Sequence, residues 1–213
     1  MTHPHWPLLD LRLMSGDLVL APLTEADLPE VVRVMPADVE LNPRATTYDV
    51  DEQTQRAVVV HQEYWRSYGT WTSREWRFHF AVRRDGELLG LQELEGNDFP
   101  TLRTVDTSSW LVHHARGTGV GKRMRRAVLA LAFGPLGARA AITSAVQDNH
   151  ASLGVSRSLG YRPNGESFLA TGARVETLVH MRMTRDQWEA TGAGADVTIE
   201  AFEPCRPFFG LLA

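Results

Sequence analysis

The chain has 213 residues, 43% of them hydrophobic and 23% charged, and a formal net charge of −4. That is ordinary globular material, long enough to bury a core, and the negative balance argues against a protein built mainly to bind nucleic acid. The single cysteine, Cys205, excludes an internal disulfide framework. No apolar run approaches the ~20 residues of a membrane span, and the N-terminus lacks the charged and apolar regions of a signal peptide, so the expected compartment is the cytoplasm with no membrane partner.

In chain order, Leu9 to Met14 and Leu18 to Leu23 flank the turn signal Ser15-Gly16-Asp17 and read as a β-hairpin or a strand with a bend. Thr24, with Asp27 three residues on, is close to a capping box, and a helix follows to about Val34, before Pro36. Residues 36 to 50 read as a loop, and a second helix is expected from about Asp51 to Tyr68. Trp65, Trp71 and Trp76 are expected to cluster, as core or as a lid over a groove. Arg77 to Arg84 and Glu87 to Glu93 form a hairpin through Asp85-Gly86, and Thr104 to Val112 is the next strand.

A glycine-rich turn, Arg116-Gly117-Thr118-Gly119-Val120-Gly121-Lys122, then opens a helix with Val120, Met124, Val128 and Leu131 on one stripe, ending near Phe133-Gly134-Pro135. Glycines there let backbone approach a ligand, and the first free N–H groups of the helix point at it, which makes an anion site. Lys122, Arg123, Arg125 and Arg126 put positive charge at the positive end of the helix dipole, a local penalty that a bound polyanion would reverse; the alternative reading is a solvated basic face. A Walker A loop is excluded, because Lys122 is followed by Arg123 and Arg116 stands where its first glycine belongs. The dinucleotide fingerprint Gly-x-Gly-x-x-Gly also fails.

Ala140 to Val146 reads as a short buried strand. Asp148 or Asn149 can cap the next helix, whose face is Ala151, Val155 and Leu159 and whose stop is Gly160. Tyr161 onward and Val175 to Met183 look like strands, Thr184 to Trp188 starts a short helix, and Val197 to Phe202 is a further strand candidate.

What remains at the glycine turn is Arg-x-x-Gly-x-Gly, filled by Arg116, Gly119 and Gly121. After a strand and before a helix, it resembles the acyl-CoA pyrophosphate loop of the GNAT (GCN5-related N-acetyltransferase) superfamily. Asn149-x-x-Ser152 with Leu159-Gly160-Tyr161, the opening Leu18-Val-Leu-Ala-Pro22-Leu with Asp27, and Asp106 to Trp110 resemble the RimJ/RimL-like branch. The resemblance covers about residues 8 to 190 of one domain spanning 1–213, and 191–213 is a C-terminal extension outside it. It implies an α/β (α+β) fold, a mixed and mostly antiparallel sheet flanked by helices.

The activity it implies is transfer of an acyl group from acyl-CoA to a primary amine of a small molecule or protein. Acetyl-CoA is the default donor and succinyl-CoA an alternative, for which Arg44, Arg77 or Arg103 could supply a cation. Arg116 through Lys122 would cradle the pyrophosphate, the backbone of Leu111 and Val112 would pair with pantetheine and supply the oxyanion donor, and Asn149 would bind pantetheine or simply cap its helix. Ser152 stands as general acid where many relatives use Tyr, with a water-assisted path as its competitor. Asp106 is the first choice of base, with Glu93, Glu95 and Asp98 as alternatives.

The acidic stretch 24 to 52 reads either as a rim that attracts a cationic amine or as a solvated face. His113 and His114, as strand neighbours, would point to opposite faces, and His3 and His5 lie in the terminus, so no metal is expected. A homodimer is compatible with all of this. The rival readings are a non-catalytic acyl-CoA-binding or regulatory protein and an interaction module that uses the basic helix.

Overall fold

The computed structural model describes residues 3–42, 45–171 and 174–211. Nine strands form one sheet in the order β7-β8-β6-β5-β4-β3-β2-β1-β9. They are β1 (Arg12–Ser15), β2 (Leu18–Pro22), β3 (Trp76–Arg84), β4 (Glu87–Gly96), β5 (Thr104–Leu111), β6 (Ala140–Val146), β7 (Arg162–Thr171), β8 (Arg174–Thr184) and β9 (Val197–Glu200). The helices are α1 (Leu28–Val34), α2 (Glu52–Gly69), α3 (Phe99–Leu102), α4 (Val120–Phe133), α5 (His150–Leu159) and α6 (Arg185–Ala190).

Local chemistry sets most boundaries. The Thr24–Asp27 capping box forms, with Thr24 N donating to Asp27 at 2.9 Å. Asp51 caps α2 by accepting from Thr54 N, and Thr184 with Gln187 makes a second capping box before α6. Asp85 and Gly86 both have positive φ (49° and 84°), the geometry of a type I′ hairpin turn. Gly160 ends α5 at φ 101°.

The sheet separates two apolar layers. Leu13, Phe78, Phe80, Val105 and Met183 pack with Met124, Val128 and Leu131 of α4 and with Leu153 and Leu159 of α5. Across the sheet, Ala81, Leu88 and Leu91 pack with Leu28 and Val31 of α1, and Val60 and Tyr64 of α2 border them. Strand alternation therefore sends odd residues of β5 to the α4/α5 face and even residues to the α1/α2 face.

The expectation of a Trp65, Trp71 and Trp76 cluster holds for two of the three. Trp71 and Trp76 stack 5.9 Å apart and meet Phe78, Phe99 and Phe209, whereas Trp65 stays 52% exposed on α2 beside His61. Residues after 190 cover this aromatic cluster. β9 pairs with β1, Trp71 Nε1 donates to the Phe208 carbonyl at 2.9 Å, and Cys205 and Phe209 are fully buried. The extra strand is shorter than its apolar pattern suggests, because Phe202 leaves the sheet to join that core.

Candidate active site

All neighbouring strands are antiparallel except β5 and β6, which are parallel and pair only over Thr104↔Ala140, Val105↔Ala141 and Asp106↔Ile142. Yet β5 stays paired with β4 up to Leu111, and β6 stays paired with β8 up to Val146. The two central strands therefore part company after Asp106 and leave a wedge-shaped opening in the sheet. Its apex is closed by Thr143 Oγ1, which donates to the Thr107 carbonyl at 2.9 Å.

That bond also fixes which backbone groups face the opening. Thr107 points into it, whereas the Ser108 carbonyl accepts from Gln92 and the Val112 N–H donates to Leu89 at 2.9 Å, both on the β4 side. By alternation, Ser109 and Leu111 turn their main-chain groups to the opening. The Leu111 carbonyl accepts from Arg116 Nε at 3.0 Å. Of the two strand residues named from sequence, Leu111 faces the opening and the Val112 N–H does not. Ser109 takes that place, and the alternation rule could have found it once the strand order was known.

The glycine turn sits at the end of β5. Gly117 and Gly119 have φ of 74° and 87°, and a Cβ at either would meet nothing within 4 Å. Open space over two left-handed glycines, next to the first free N–H groups of a 14-residue helix, is room for a polyanion against backbone. Gly121 instead packs closer, its Cβ position 3.5 Å from Leu111 Cδ1. Thr118 Oγ1 donates to the Ala115 carbonyl at 2.7 Å and braces the turn. Arg116 reaches back to Asp38, 2.5 and 2.9 Å between the paired atoms, and this keeps the Asp38 carboxyl below its usual range.

The basic helix face is not the block that the sequence suggests. Arg123 pairs with Asp17, Arg126 pairs with Asp196 at 2.6 Å, and Arg125 turns inward. Lys122 is left with no ion pair among the described residues. Arg125 is 3% exposed and donates to Ser156, Ser109 and Thr143 at 3.0, 3.2 and 3.4 Å, without a carboxylate at hydrogen-bond distance. Burial pushes its pKa down, with Tyr161 and Asp106 opposing. Helical periodicity places Arg125 one position behind Met124, but only the tertiary contacts show that it enters the core.

Asn149 Oδ1 accepts from Ser152 N at 3.0 Å, so the capping role is realised, and its Nδ2 makes no hydrogen bond with the described residues. Ser152 lies one turn on, with its carbonyl taken by Ser156. Val146 and Asn149 border a cavity of about 500 Å³ between the start of α5, the start of β8 and Glu40. Tyr161 is buried below the opening, 3.5 Å from Thr107 Oγ1, and burial pushes its hydroxyl up to about 12.

On the α1/α2 face the opening is bordered by carboxylates. Asp106 stands at the last paired position. Burial, and then the neighbouring Glu95 and Glu93, raise it to about 6 against the Thr107 N–H and Arg125, which act the other way. Desolvation also acts on the partly buried Glu93, but His79, Arg77 and Ser108 outweigh it and hold the carboxyl at about 2. Glu95 is raised by burial although Arg77 bridges it to Glu63. Glu63 and His79 belong to this group and were not singled out from the sequence, since neither lies in a motif.

Other candidates lie elsewhere. Asp98 is paired with Arg74 in the turn before α3, at the far end of β4. Arg77 is engaged with Glu63 and Glu95, and Arg103 lies over the Phe99 ring at 5.4 Å. Arg44 is outside the described residues. Half of the eight acids in the stretch 24 to 52 are committed internally: Asp27 and Glu30 hold Arg83, Asp38 holds Arg116, and Asp51 caps α2. His113 and His114 sit in a turn rather than on the strand, with His114 3.0 Å from Glu87. No group of three potential metal-ligating side chains occurs among the described residues, and none of their helices is long and apolar enough to cross a membrane.

Solved structures share this architecture. Mycobacterium smegmatis RimJ in complex with CoA-disulfide superposes with a TM-score of 0.65 at 16% identity, covering 88% of this chain and 97% of that one. Mutant forms of the spermidine/spermine N-acetyltransferase SpeG from Vibrio cholerae superpose at 0.63 and 14% identity, covering 83% and 99%. These likenesses carry the fold. The sequence itself matches the acetyltransferase (GNAT) domain Acetyltransf_3 over residues 17–162. With that match over most of its length, a sheet parted between its two parallel strands and a glycine turn opening α4, the chain belongs to the GNAT acetyltransferase family.

Proposed function

We propose that the protein transfers an acyl group from acyl-CoA to a primary amine by direct attack while both substrates are bound. Acetyl-CoA is the default donor and succinyl-CoA the alternative. The observation that carries this is the coincidence of three features: an opening in the sheet, a helix N-terminus with empty space over Gly117 and Gly119, and a carboxylate of raised pKa at the apex.

Each requirement of the chemistry has a candidate. Residues Arg116 to Lys122 hold the pyrophosphate on backbone N–H groups and cationic side chains. Main-chain groups of Ser109 and Leu111 pair with the pantetheine arm, and one of their N–H groups donates to the thioester oxygen as charge develops there. Asn149 offers Nδ2 to the same arm. Asp106, at about 6, takes a proton from the incoming ammonium, which Glu93, at about 2, is too weak a base to do. Ser152 hands a proton to the leaving sulfur, with water assisting. Glu63, Glu93, Glu95 and Asp106 are four carboxylates against Arg66 and Arg77, and that negative surplus favours a cationic acceptor, small molecule or protein. We place this activity in the cytoplasm, in one domain to which residues 191–211 add an edge strand and a core cover.

Titration calorimetry with CoA, acetyl-CoA and succinyl-CoA, followed by thiol release with an amine panel, tests the reading. No heat with any of the three overturns it. Binding without thiol release favours a non-catalytic acyl-CoA-binding protein, a reading supported by the serine at the usual tyrosine position.

A further inference from the structure

Ser144 of β6 and His180 of β8 are direct cross-strand partners, with Ser144 Oγ 2.7 Å from His180 Nδ1. The other ring nitrogen, Nε2, lies 2.8 Å from Ser167 Oγ on β7. Continuing the Asp106↔Ile142 register places Ser144 opposite Ser108, across the opening and on the α1/α2 face. On that far side Ser108 donates to Glu93 at 2.9 Å, and Glu93 lies 3.3 Å from His79 Nδ1. A single row of polar side chains thus crosses the sheet at the level of the opening and is interrupted only there.

A cross-strand pair formed for stability alone needs two partners. His180 has three members in its chain, with an exposed hydroxyl at each end: Ser144 beside the opening and Ser167 on the edge strand β7. A neutral imidazole accepts at one nitrogen and donates at the other, so the chain has a direction.

The chemistry leaves a role for it. An amine that arrives as ammonium loses two protons on its way to an amide, and Asp106 holds one at a time. Resting on the acyl-transfer reading above, we propose that Ser144 and His180 carry the second proton from the attacking nitrogen to solvent. The nitrogen bonds to the acyl carbon as the carbonyl electron pair moves to oxygen. When that pair returns, the C–S bond breaks and sulfur leaves with its electrons. The nitrogen's proton passes to Ser144 Oγ while the serine proton passes to His180 Nδ1. The imidazolium then releases its Nε2 proton through Ser167 to water, and the thiolate takes a proton from the Ser152 side; once the products leave, cleft water takes the Nδ1 proton through Ser144 and solvent returns one to Nε2, which restores the starting tautomer. Amine and thioester become amide and thiol, with no further reactant. Ser144 touches the reacting nitrogen, and His180 acts through it.

Nitrogen-15 NMR of the ring nitrogens tests the direction without turnover, His180 being assigned by its loss in His180→Gln. The path requires a bare Nδ1 and a protonated Nε2, and the opposite tautomer overturns it. Acyl transfer from acetyl-CoA to hydroxylamine, which attacks as a neutral nucleophile, tests the role. Ser144→Ala and His180→Gln should lose roughly 10- to 100-fold in kcat. Acetyl-CoA affinity and the unfolding midpoint should be unchanged, and Ser144→Thr should keep most of the rate. Wild-type rates in both variants overturn the proton path alone. A wild-type protein that binds no acetyl-CoA overturns the underlying reading instead.

Discussion

Thr143 Oγ1 lies 2.9 Å from the Thr107 carbonyl oxygen, and this side chain takes the place of the ladder hydrogen bond that would otherwise carry β5 and β6 past Asp106. A hydroxyl in place of a backbone N–H lets the two strands separate without leaving a buried carbonyl unsatisfied. Thr143→Val keeps the shape and removes the donor, so it is expected to cost about 1–3 kcal/mol, measured by urea unfolding. An unchanged midpoint would show that the apex is held by something else.

Gly119 and Gly121 should respond differently. Gly119→Val forces a β-branched residue to φ 87°, at a cost of about 1–2 kcal/mol, and fills the space over the turn, so CoA binding should vanish from calorimetry. Gly121→Ala puts a Cβ at ordinary contact distance from Leu111 and Val155, and its stability should match or slightly exceed the parent, by up to ~1 kcal/mol.

Asp106, the proposed base, ties both stability and the proposed activity to pH. Its folded pKa of about 6 lies above the ordinary 3.8, so the stability contributed by its protonation is fully present below pH 3.8 and lost as pH rises through about 6. At neutral pH the ionised carboxylate is a cost, and Asp106→Asn should raise stability there by on the order of 1 kcal/mol after allowance for partial exposure. The same variant should lose the limb of the acyl-transfer rate that rises through about pH 6. A variant that keeps that limb would remove Asp106 from the base role.

The Asp38–Arg116 pair occupies the guanidinium that the cradle would offer to phosphate. Asp38→Asn frees it, and CoA should bind more tightly by less than about tenfold, as befits an exposed pair, with a steeper dependence on salt. Weaker binding would mean that Asp38 holds Arg116 in position for the ligand.

Arg125 is a buried cation held by hydroxyls alone. Thr143 and Ser156 keep main-chain acceptors without it, so Arg125→Met should leave stability within about 1 kcal/mol of the parent or raise it. Arg125→Ala leaves a cavity and should cost ~2–4 kcal/mol. Parallel thermal melts separate the two, and an equal loss in both would show that the charge itself is needed.

Local rules in the chain already determined a great deal. Asp85-Gly86 fixes one hairpin, the Thr24–Asp27 box starts a helical segment, Asn149 and Gly160 bound α5, and Gly117-Thr-Gly119 makes the left-handed turn that opens an amphipathic helix. Each is a matter of backbone dihedral or of a hydrogen bond within a few residues, which spacing alone reveals. Only the tertiary structure decided where β5 and β6 part, because that depends on a threonine side chain from one strand meeting a carbonyl of another 36 residues away. It also decided that Arg125 turns inward while Arg123 and Arg126 pair at the surface, and that Asp27, Glu30, Asp38 and Asp51 are engaged internally while Glu63, Glu93, Glu95 and Asp106 converge. Charge in a sequence has no direction. Direction comes from the face of the strand or helix that the packed core leaves available.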